Sequence, residues 1–178
     1  MIRIDAITEM RLTPAQDRAI GALLDVAFVD AGFGGRSFHK QHHHLRIVAQ
    51  DGAGGIVGHI ALLLRVIRVG DRLTPIVGVA EVATHPDNRG QGIAGAMLTR
   101  AIVDARSSLA EFMVLFGHRP IYAGHGFRRA ANPLTYLQLD GARSGGVVQR
   151  RDDTLMILPL GDVVWPDDAP VDLVGHIF

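Results

Sequence analysis

Arg89-Gly90-Gln91-Gly92-Ile93-Ala94 is the stretch of this chain best suited to chemistry on a ligand, because two glycines stand where a strand gives way to a helix. Upstream, Val79 to Thr84 is apolar but for Glu81, and His85-Pro86-Asp87-Asn88 ends the run: Pro86 biases His85 away from the helical region, and the Asp-Asn pair favours a turn. Downstream, Ile93, Met97, Leu98, Ala101, Ile102 and Ala105 recur at spacings of three and four, which predicts a helix over 91–107. A helix start carries backbone N–H groups without partners, and glycine lets a ligand approach them. Such a turn binds an anion, and phosphate is the anion expected. No lysine follows Gly92, so the loop is not a P-loop. Gly90-Gln91-Gly92-Ile93-Ala94-Gly95 approaches a dinucleotide fingerprint, which is a weak signal on its own.

Glu81 is the second candidate. Burial in an apolar strand raises a carboxyl's pKa toward the working range of a general base, acting directly or through water. The competing reading is a strand carboxylate satisfied by a backbone donor or an arginine. Among the scattered histidines His118 is the reserve base, because it follows the run Glu111 to Phe116. His39, His42, His43 and His44 cluster beside Lys40 in a glycine-rich segment from Asp30 to His44. A structural zinc site needs a complete tetrahedral set, and no carboxylate or cysteine stands at supporting spacing, so the cluster reads as an exposed polar loop or the rim of an acceptor pocket. No metal is expected.

Composition narrows the partners. Lysine plus arginine and aspartate plus glutamate number 18 each, so the net charge of zero offers no attraction to nucleic acid or to a membrane surface. The absence of cysteine removes disulfides, thiolate metal sites and a cysteine nucleophile together. The N-terminus lacks the apolar run of a signal peptide, and no stretch approaches the eighteen apolar residues of a membrane helix, so a cytoplasmic protein is expected. A small molecule is the partner that remains, with room for a homodimer.

The elements that must position these residues follow from patterning. At 178 residues, with no repeat or linker, one domain over 1–178 is expected. Residues 2–12 alternate as a first strand. Thr13-Pro14-Ala15-Gln16 starts a helix, with Thr13 as cap, Pro14 at the first position and Gln16 closing a capping box. Leu45 to Gln50, Ile56 to Val69 and Leu73 to Thr84 are the second, third and fourth strands, antiparallel and joined by the turns Asp51–Gly55 and Gly70-Asp71. Past the helix of 91–107, Glu111 to Phe116 is a fifth strand, parallel to the fourth because a helical crossover joins them. A short helix at Pro120 to Gly124, a sixth strand at Leu134 to Leu139, a polar loop from Asp140 to Asp153 and a seventh strand at Leu155 to Leu160 complete the chain.

The glycine loop resembles motif A of the GNAT superfamily of acyl-CoA-dependent N-acyltransferases, Arg/Gln-x-x-Gly-x-Gly/Ala, through Arg89, Gly92 and Ala94. Tyr122-Ala123-Gly124-His125-Gly126-Phe127 resembles the Tyr-x-x-x-Gly-Phe of the last helix in that family. The resemblance implies an α/β GNAT fold: a mixed seven-stranded sheet flanked by about four helices, with a wedge between the parallel fourth and fifth strands. It further implies acetyl-CoA or another acyl-CoA as cosubstrate. Arg89, Gly90, Gln91, Gly92, Ile93 and Ala94 would cradle the pyrophosphate, Val82, Ala83 and Thr84 would pair with pantetheine amides, and a backbone N–H near Val82 would hold the oxyanion. Tyr122 would give a proton to the departing thiolate. A lysine-like amine is only about one part in 2,500 neutral at pH 7, so roughly 4.6 kcal/mol separates it from a nucleophile and the site needs a base. Glu81, His118 or water fills that role.

Two branches of the superfamily come nearest. Ile56-Val57-Gly58-His59, the Arg-Gly-Gln loop, Tyr122 and the segment Asp153 to Pro159 resemble the aminoglycoside 2'-N-acetyltransferases. The strand glutamate of that family falls one residue earlier, at Ala80, and its acidic residues meet Arg150, Arg151 and His176 here, which argues against a polycationic acceptor. Val57-Gly58-His59-Ile60, Val79-Ala80-Glu81 and Leu158-Pro159-Leu160-Gly161 with Trp165-Pro166 resemble the rhizobial nodulation N-acyltransferases. Both branches act on amino sugars, so the resemblance implies acyl transfer to the primary amine of an amino-sugar-like small molecule, by direct attack in a ternary complex. A degenerate domain that binds acyl-CoA as a sensor or scaffold is the alternative.

Overall fold

The computed structural model describes residues 1–140 and 143–178. Its strands are β1 (Arg3–Thr8), β2 (Leu45–Gln50), β3 (Ile56–Val69), β4 (Arg72–Thr84), β5 (Phe112–Phe116), β6 (Arg128–Arg129), β7 (Pro133–Asp140), β8 (Arg143–Arg151), β9 (Leu155–Pro159) and β10 (Val171–His176). The helices are α1 (Pro14–Ala27), α2 (Ile93–Arg106) and α3 (Pro120–Gly124), with single 3₁₀ turns at Glu9–Arg11 and Pro86–Asn88. This is the mixed, helix-flanked sheet expected. Contacts gather the chain into two compact units, Met1–Leu62 with Ala80–Val103, and Leu63–Val79 with Asp104–Phe178, so that β3 and β4 each contribute to both.

The first unit is built on antiparallel pairing of β1 with β2 and of β2 with β3. Alternation sends Val48 inward, where α1 covers it with Ile20, Leu23 and Leu24; Phe33 and Ala83 complete this core. The helix begins where its sequence says it should. Thr13 Oγ1 accepts from Gln16 N at 3.3 Å and Gln16 Oε1 accepts from Thr13 N at 3.0 Å, a reciprocal cap worth about 1 kcal/mol. After α1 the chain from Phe28 to His44 runs without regular structure. It is tied down by Gly35 N donating to Asp25 Oδ2 (2.8 Å), by Ser37 Oγ donating to Asp17 Oδ1 (2.5 Å) and by the buried ring of Phe33. A side chain at Gly21 would collide with the Gly35 carbonyl at 2.2 Å, so this helix glycine is what lets the segment lie so close.

In the second unit the strand order is β6-β9-β5-β4-β3-β10-β7-β8. β4 and β5 pair in parallel from Ile76↔Phe112 to Val79↔Leu115, the right outcome for a helical crossover. Phe112 meets Trp165 edge to face at 5.0 Å inside a core shared with Ile76, Val114, Leu155 and Ile157. Trp165 Nε1 donates to Asn132 Oδ1 (2.9 Å), and Asn132 Nδ2 donates to the Pro166 and Ala169 carbonyls, so no polar atom of that buried pair is wasted.

Three expectations need correction. The first strand ends at Thr8, where the Glu9–Arg11 turn takes over. The segment expected as a polar loop is largely β8, antiparallel to β7 from Pro133↔Arg151 to Asp140↔Arg143; residues 141 and 142 of that expected loop lie outside the described residues. β8 is exposed almost throughout, so neither face needs apolar residues and no alternation marks it. The strands β6 and β10 were not expected at all: one spans two residues, and the other is interrupted by a register shift after Asp172 and by φ 49° at Val174.

Candidate active site

Glu81 sits in β4 with φ 52°, a backbone state that costs a non-glycine residue about 1–2 kcal/mol and breaks the in-out alternation of a strand. Its partners account for the strain. Glu81 Oε1 accepts from His39 N (2.8 Å), Oε2 meets His43 Nε2 (3.0 Å), and the Glu81 carbonyl meets His59 Nδ1 (3.0 Å). Residues near positions 40 and 60 therefore clamp both ends of one residue. The carboxylate is only 8% exposed.

Behind it lies Arg46 of β2, fully buried. Its Nε and Nη2 reach Glu9 Oε2 (2.7 Å) and Oε1 (2.9 Å) as a fork, its Nη1 donates to the Ser37 carbonyl (2.6 Å) and to His59 Nε2 (3.1 Å), and Glu81 Oε2 stands 3.6 Å from the same nitrogen. His59 thus has a defined tautomer: Nδ1 carries hydrogen toward the Glu81 carbonyl, and bare Nε2 accepts from Arg46. Burial first, and then the Arg46 charge, push His59 down to about 3, against the pull of Glu81, so it is neutral at pH 7. On the outer side His42 Nδ1 meets Glu9 Oε1 at 2.6 Å.

Burial does push the Glu81 carboxyl up, as its place in the strand suggests. The His43 hydrogen bond, the nearby His43 ring and the His39 N–H outweigh that effect and hold it below the ordinary carboxylate range. The expected upward shift is therefore corrected: partners 38 and 42 residues away reverse it. Glu9 shows the same balance more strongly. Burial raises it, the Arg46 and His42 contacts lower it, and it settles at about 2.

The glycine loop follows in the same unit. Gly90 and Gly92 have φ 76° and 75°, and the space where their side chains would stand is open. His85 Nδ1 accepts from Asp87 N (3.3 Å) to close the preceding turn. Ala96 N donates to the Gly92 carbonyl (3.0 Å), so Gly92 is the cap of α2, and Ile93 and Ala94 lie in its first turn, where intrahelical acceptors are lacking. Arg89, Gly90, Gln91 and Gly92 are exposed and Ile93 is buried as the helix anchor. Two left-handed glycines opening a fourteen-residue helix suit an anion, because no atom among the described residues lies within 4 Å of where their side chains would stand. Val82, Ala83 and Thr84 lie between Glu81 and this loop. Among the described residues, two buried side-chain atoms have no hydrogen-bond partner, His43 Nδ1 and Thr84 Oγ1.

The second unit holds Tyr122 and His118. Tyr122 is buried in α3, edge to face with Phe127 at 6.2 Å, and a side chain at Gly117 would strike its ring at 2.8 Å. Burial raises its phenol above the ordinary value, against a smaller opposing effect of Arg119, so it is protonated at neutral pH. His118 is exposed between β5 and α3. Arg150 donates to Asp152 Oδ2 (3.0 Å) and lies 5.5 Å from the centre of the Tyr136 ring; Arg151 donates to the Ala131 carbonyl. The His176 and Leu173 carbonyls accept from Arg65, whose guanidinium also sits over Phe178.

Of the residues expected to act, Glu81, Val82, Ala83, Thr84 and 89–94 fall together in one unit, and Tyr122 and His118 in the other. Sequence reasoning missed Glu9, Arg46, His43 and His59 as a network. One signal was available: Arg46 and His59 are polar residues inside otherwise apolar strand patterns. Among the described residues no group of three or more histidine, cysteine or carboxylate side chains is arranged to hold a metal ion, and no helix is long and apolar enough to cross a membrane.

Comparison with known proteins bears on this geometry. Residues 12–130 match the family model described as an acetyltransferase (GNAT) domain. The chain is 32% identical over 155 residues to nodulation protein A of Rhizobium tropici, an alignment covering 80% of this chain and 76% of that protein. Among solved structures it is similar to a GNAT family N-acetyltransferase (YhbS) from Escherichia coli in complex with CoA, with TM-score 0.68, 22% identity and coverage of 97% and 88% of the two chains. It is also similar to a GNAT family acetyltransferase from Brucella melitensis in complex with acetyl-CoA, with TM-score 0.59, 20% identity and coverage of 95% and 94%.

Proposed function

The chain belongs to the GNAT acetyltransferase family, and on that premise we propose that it transfers an acyl group from acyl-CoA to a primary amine of a small, amino-sugar-like molecule, by direct attack in a ternary complex. The observation that carries this reading is the pair of left-handed glycines at the start of α2, with open space before them. Amides of residues 89–94 are the donors for a pyrophosphate, and the β4 backbone at Val82, Ala83 and Thr84 supplies donors and acceptors for pantetheine amides and an N–H for developing negative charge on oxygen. Acyl-CoA, when bound, supplies the activated acyl group.

Tyr122 is the donor to the departing sulfur. Burial raises its phenol above the ordinary value, so complete transfer from the phenol to a thiolate is uphill. Tyr122 therefore stabilises the thiolate by hydrogen bonding. An amino-sugar acceptor is supported by the similarity to nodulation protein A and by the features shared with aminoglycoside 2'-N-acetyltransferases.

Thermal unfolding with and without coenzyme A tests the proposal. At a hundred times its dissociation constant a ligand adds about 2.7 kcal/mol, or roughly 5–10 °C for a chain this size. Gly92→Glu places a side chain at φ 75° and a negative charge beside the phosphates, and abolishes the shift. A wild-type protein that shows no shift with saturating coenzyme A refutes the reading.

A further inference from the structure

We propose that His43, oriented by Glu81, is the group that takes the proton from the acceptor amine, an inference that rests on the acyl-transfer reading above. A carboxylate at pH 7 can only accept, so the 3.0 Å contact between His43 Nε2 and Glu81 Oε2 places hydrogen on Nε2. In the neutral ring Nδ1 is then a bare lone pair. That atom is buried and has no hydrogen-bond partner among the described residues, whereas His59 next to it uses both ring nitrogens. A buried acceptor left unpaired costs about 1–3 kcal/mol, and a donor arriving with the ligand removes that cost.

Charge favours the same assignment. The charged and titratable groups of this network and of the segment that carries His43 are Glu81, Arg46, Glu9, His59, His42, His39 and Lys40. Glu9 and Glu81 are two carboxylates against the single guanidinium of Arg46 at the centre of the network, so the trio carries net −1 and an imidazolium at His43 neutralises it. His59 cannot take the proton without losing the bond from Arg46. Glu81 is a weak base, because Oε1 accepts from the His39 amide, Oε2 from His43, and Arg46 stands 3.6 Å away. A carboxylate on one ring nitrogen fixes the tautomer that leaves the other bare, the arrangement of a base with its orienting acid. Nδ1 is closed to solvent, so the donor that reaches it arrives with the ligand.

The step balances without a further reagent. The ammonium gives one proton to His43 Nδ1, and the freed nitrogen lone pair forms the N–C bond as the C–S bond breaks. The second nitrogen proton passes to the departing sulfur, and His43 returns its proton to water. The products are an amide, a thiol and one proton.

Thiol release from acetyl-CoA with glucosamine, followed against pH in the full chain, tests the assignment. His43→Gln lowers kcat/KM at least a hundredfold, removes the rising limb of the profile and leaves the coenzyme A thermal shift intact. Glu81→Gln keeps the limb but lowers kcat/KM, because the amide no longer fixes hydrogen on Nε2. A limb unchanged in His43→Gln, or kcat/KM unchanged in Glu81→Gln, overturns the proposal. Loss of the coenzyme A shift in wild type would instead defeat the acyl-transfer reading. Nitrogen-15 NMR of the histidine rings decides where wild type does not use glucosamine or His43→Gln does not fold: His43 appears with hydrogen on Nε2 and a bare Nδ1, and the opposite tautomer refutes the proposal.

Discussion

Arg46→Met removes the only guanidinium at the centre of the network while keeping an unbranched side chain of similar reach. Arg46 is fully buried and bonds Glu9 through two nitrogens, the Ser37 carbonyl and His59 Nε2. Breaking a buried pair by deleting one partner costs about 3–5 kcal/mol, and the orphaned Ser37 carbonyl adds about 1 kcal/mol that is not strictly additive. About 4 kcal/mol is therefore expected, a large part of a typical total of about 5–15 kcal/mol. Urea unfolding measures it, and pH supplies the diagnostic. Glu9 is held at about 2 instead of 4.5, so its contribution is fully present above pH 4.5 and is lost as pH falls toward 2. That interval corresponds to about 3 kcal/mol, reduced by solvent screening of this partly exposed carboxylate to about 1–2 kcal/mol. Arg46→Met loses the Arg46 share of this term and keeps that of His42, so the deficit between variant and wild type narrows by up to about 1 kcal/mol between pH 5 and pH 3. A deficit below about 1 kcal/mol, or one that does not change with pH, would refute the assignment of Arg46 as the neutralising centre.

Two further outcomes concern turnover. Tyr122→Phe lowers kcat roughly a hundredfold with acetyl-CoA affinity within about twofold, because a hydrogen bond to the leaving sulfur strengthens only as charge develops there; weakened coenzyme binding in that variant would make Tyr122 a packing residue. Kanamycin is a poor acceptor, since Arg150, Arg151 and His176 stand where the resembling aminoglycoside enzymes carry carboxylates. Close like-charge pairs repel by about 4 kcal/mol at an effective dielectric of 20 and by about a tenth of that when solvated; Asp152 at 3.0 Å from Arg150 favours the smaller figure. Efficient acetylation of kanamycin by the wild-type protein would contradict this.

Elements whose residues face a core were legible in advance. Ile56–Val69 and Pro120–Gly124 form over the ranges their patterns predict, and the Thr13–Gln16 capping box is present in both halves. The strands that escaped notice lack the physical cause of a pattern. β8 is an exposed edge strand, held by backbone pairing to β7, and backbone pairing leaves no mark on side-chain identity. β10 carries Val171 and Leu173 into the core, but its alternation is cut short by an aspartate, a left-handed valine and a glycine.

The site divides along the same line. Gly90 and Gly92 were readable because a left-handed turn before a helix demands glycine, and residue type there reports backbone geometry directly. Glu81 has a left-handed backbone too, yet glutamate has no preference for it, so nothing at position 81 announces the change of direction. The conformation is imposed by His39, His43 and His59, which come from an irregular segment and a different strand. The same long-range contacts reverse the pKa direction that burial alone predicts for Glu81. A carboxylate's chemistry follows the donors facing it, and a histidine's follows which of its nitrogens is already occupied. His43 has one nitrogen on Glu81 and the other buried without a partner among the described residues, so the four clustered histidines differ in role only once their partners are known.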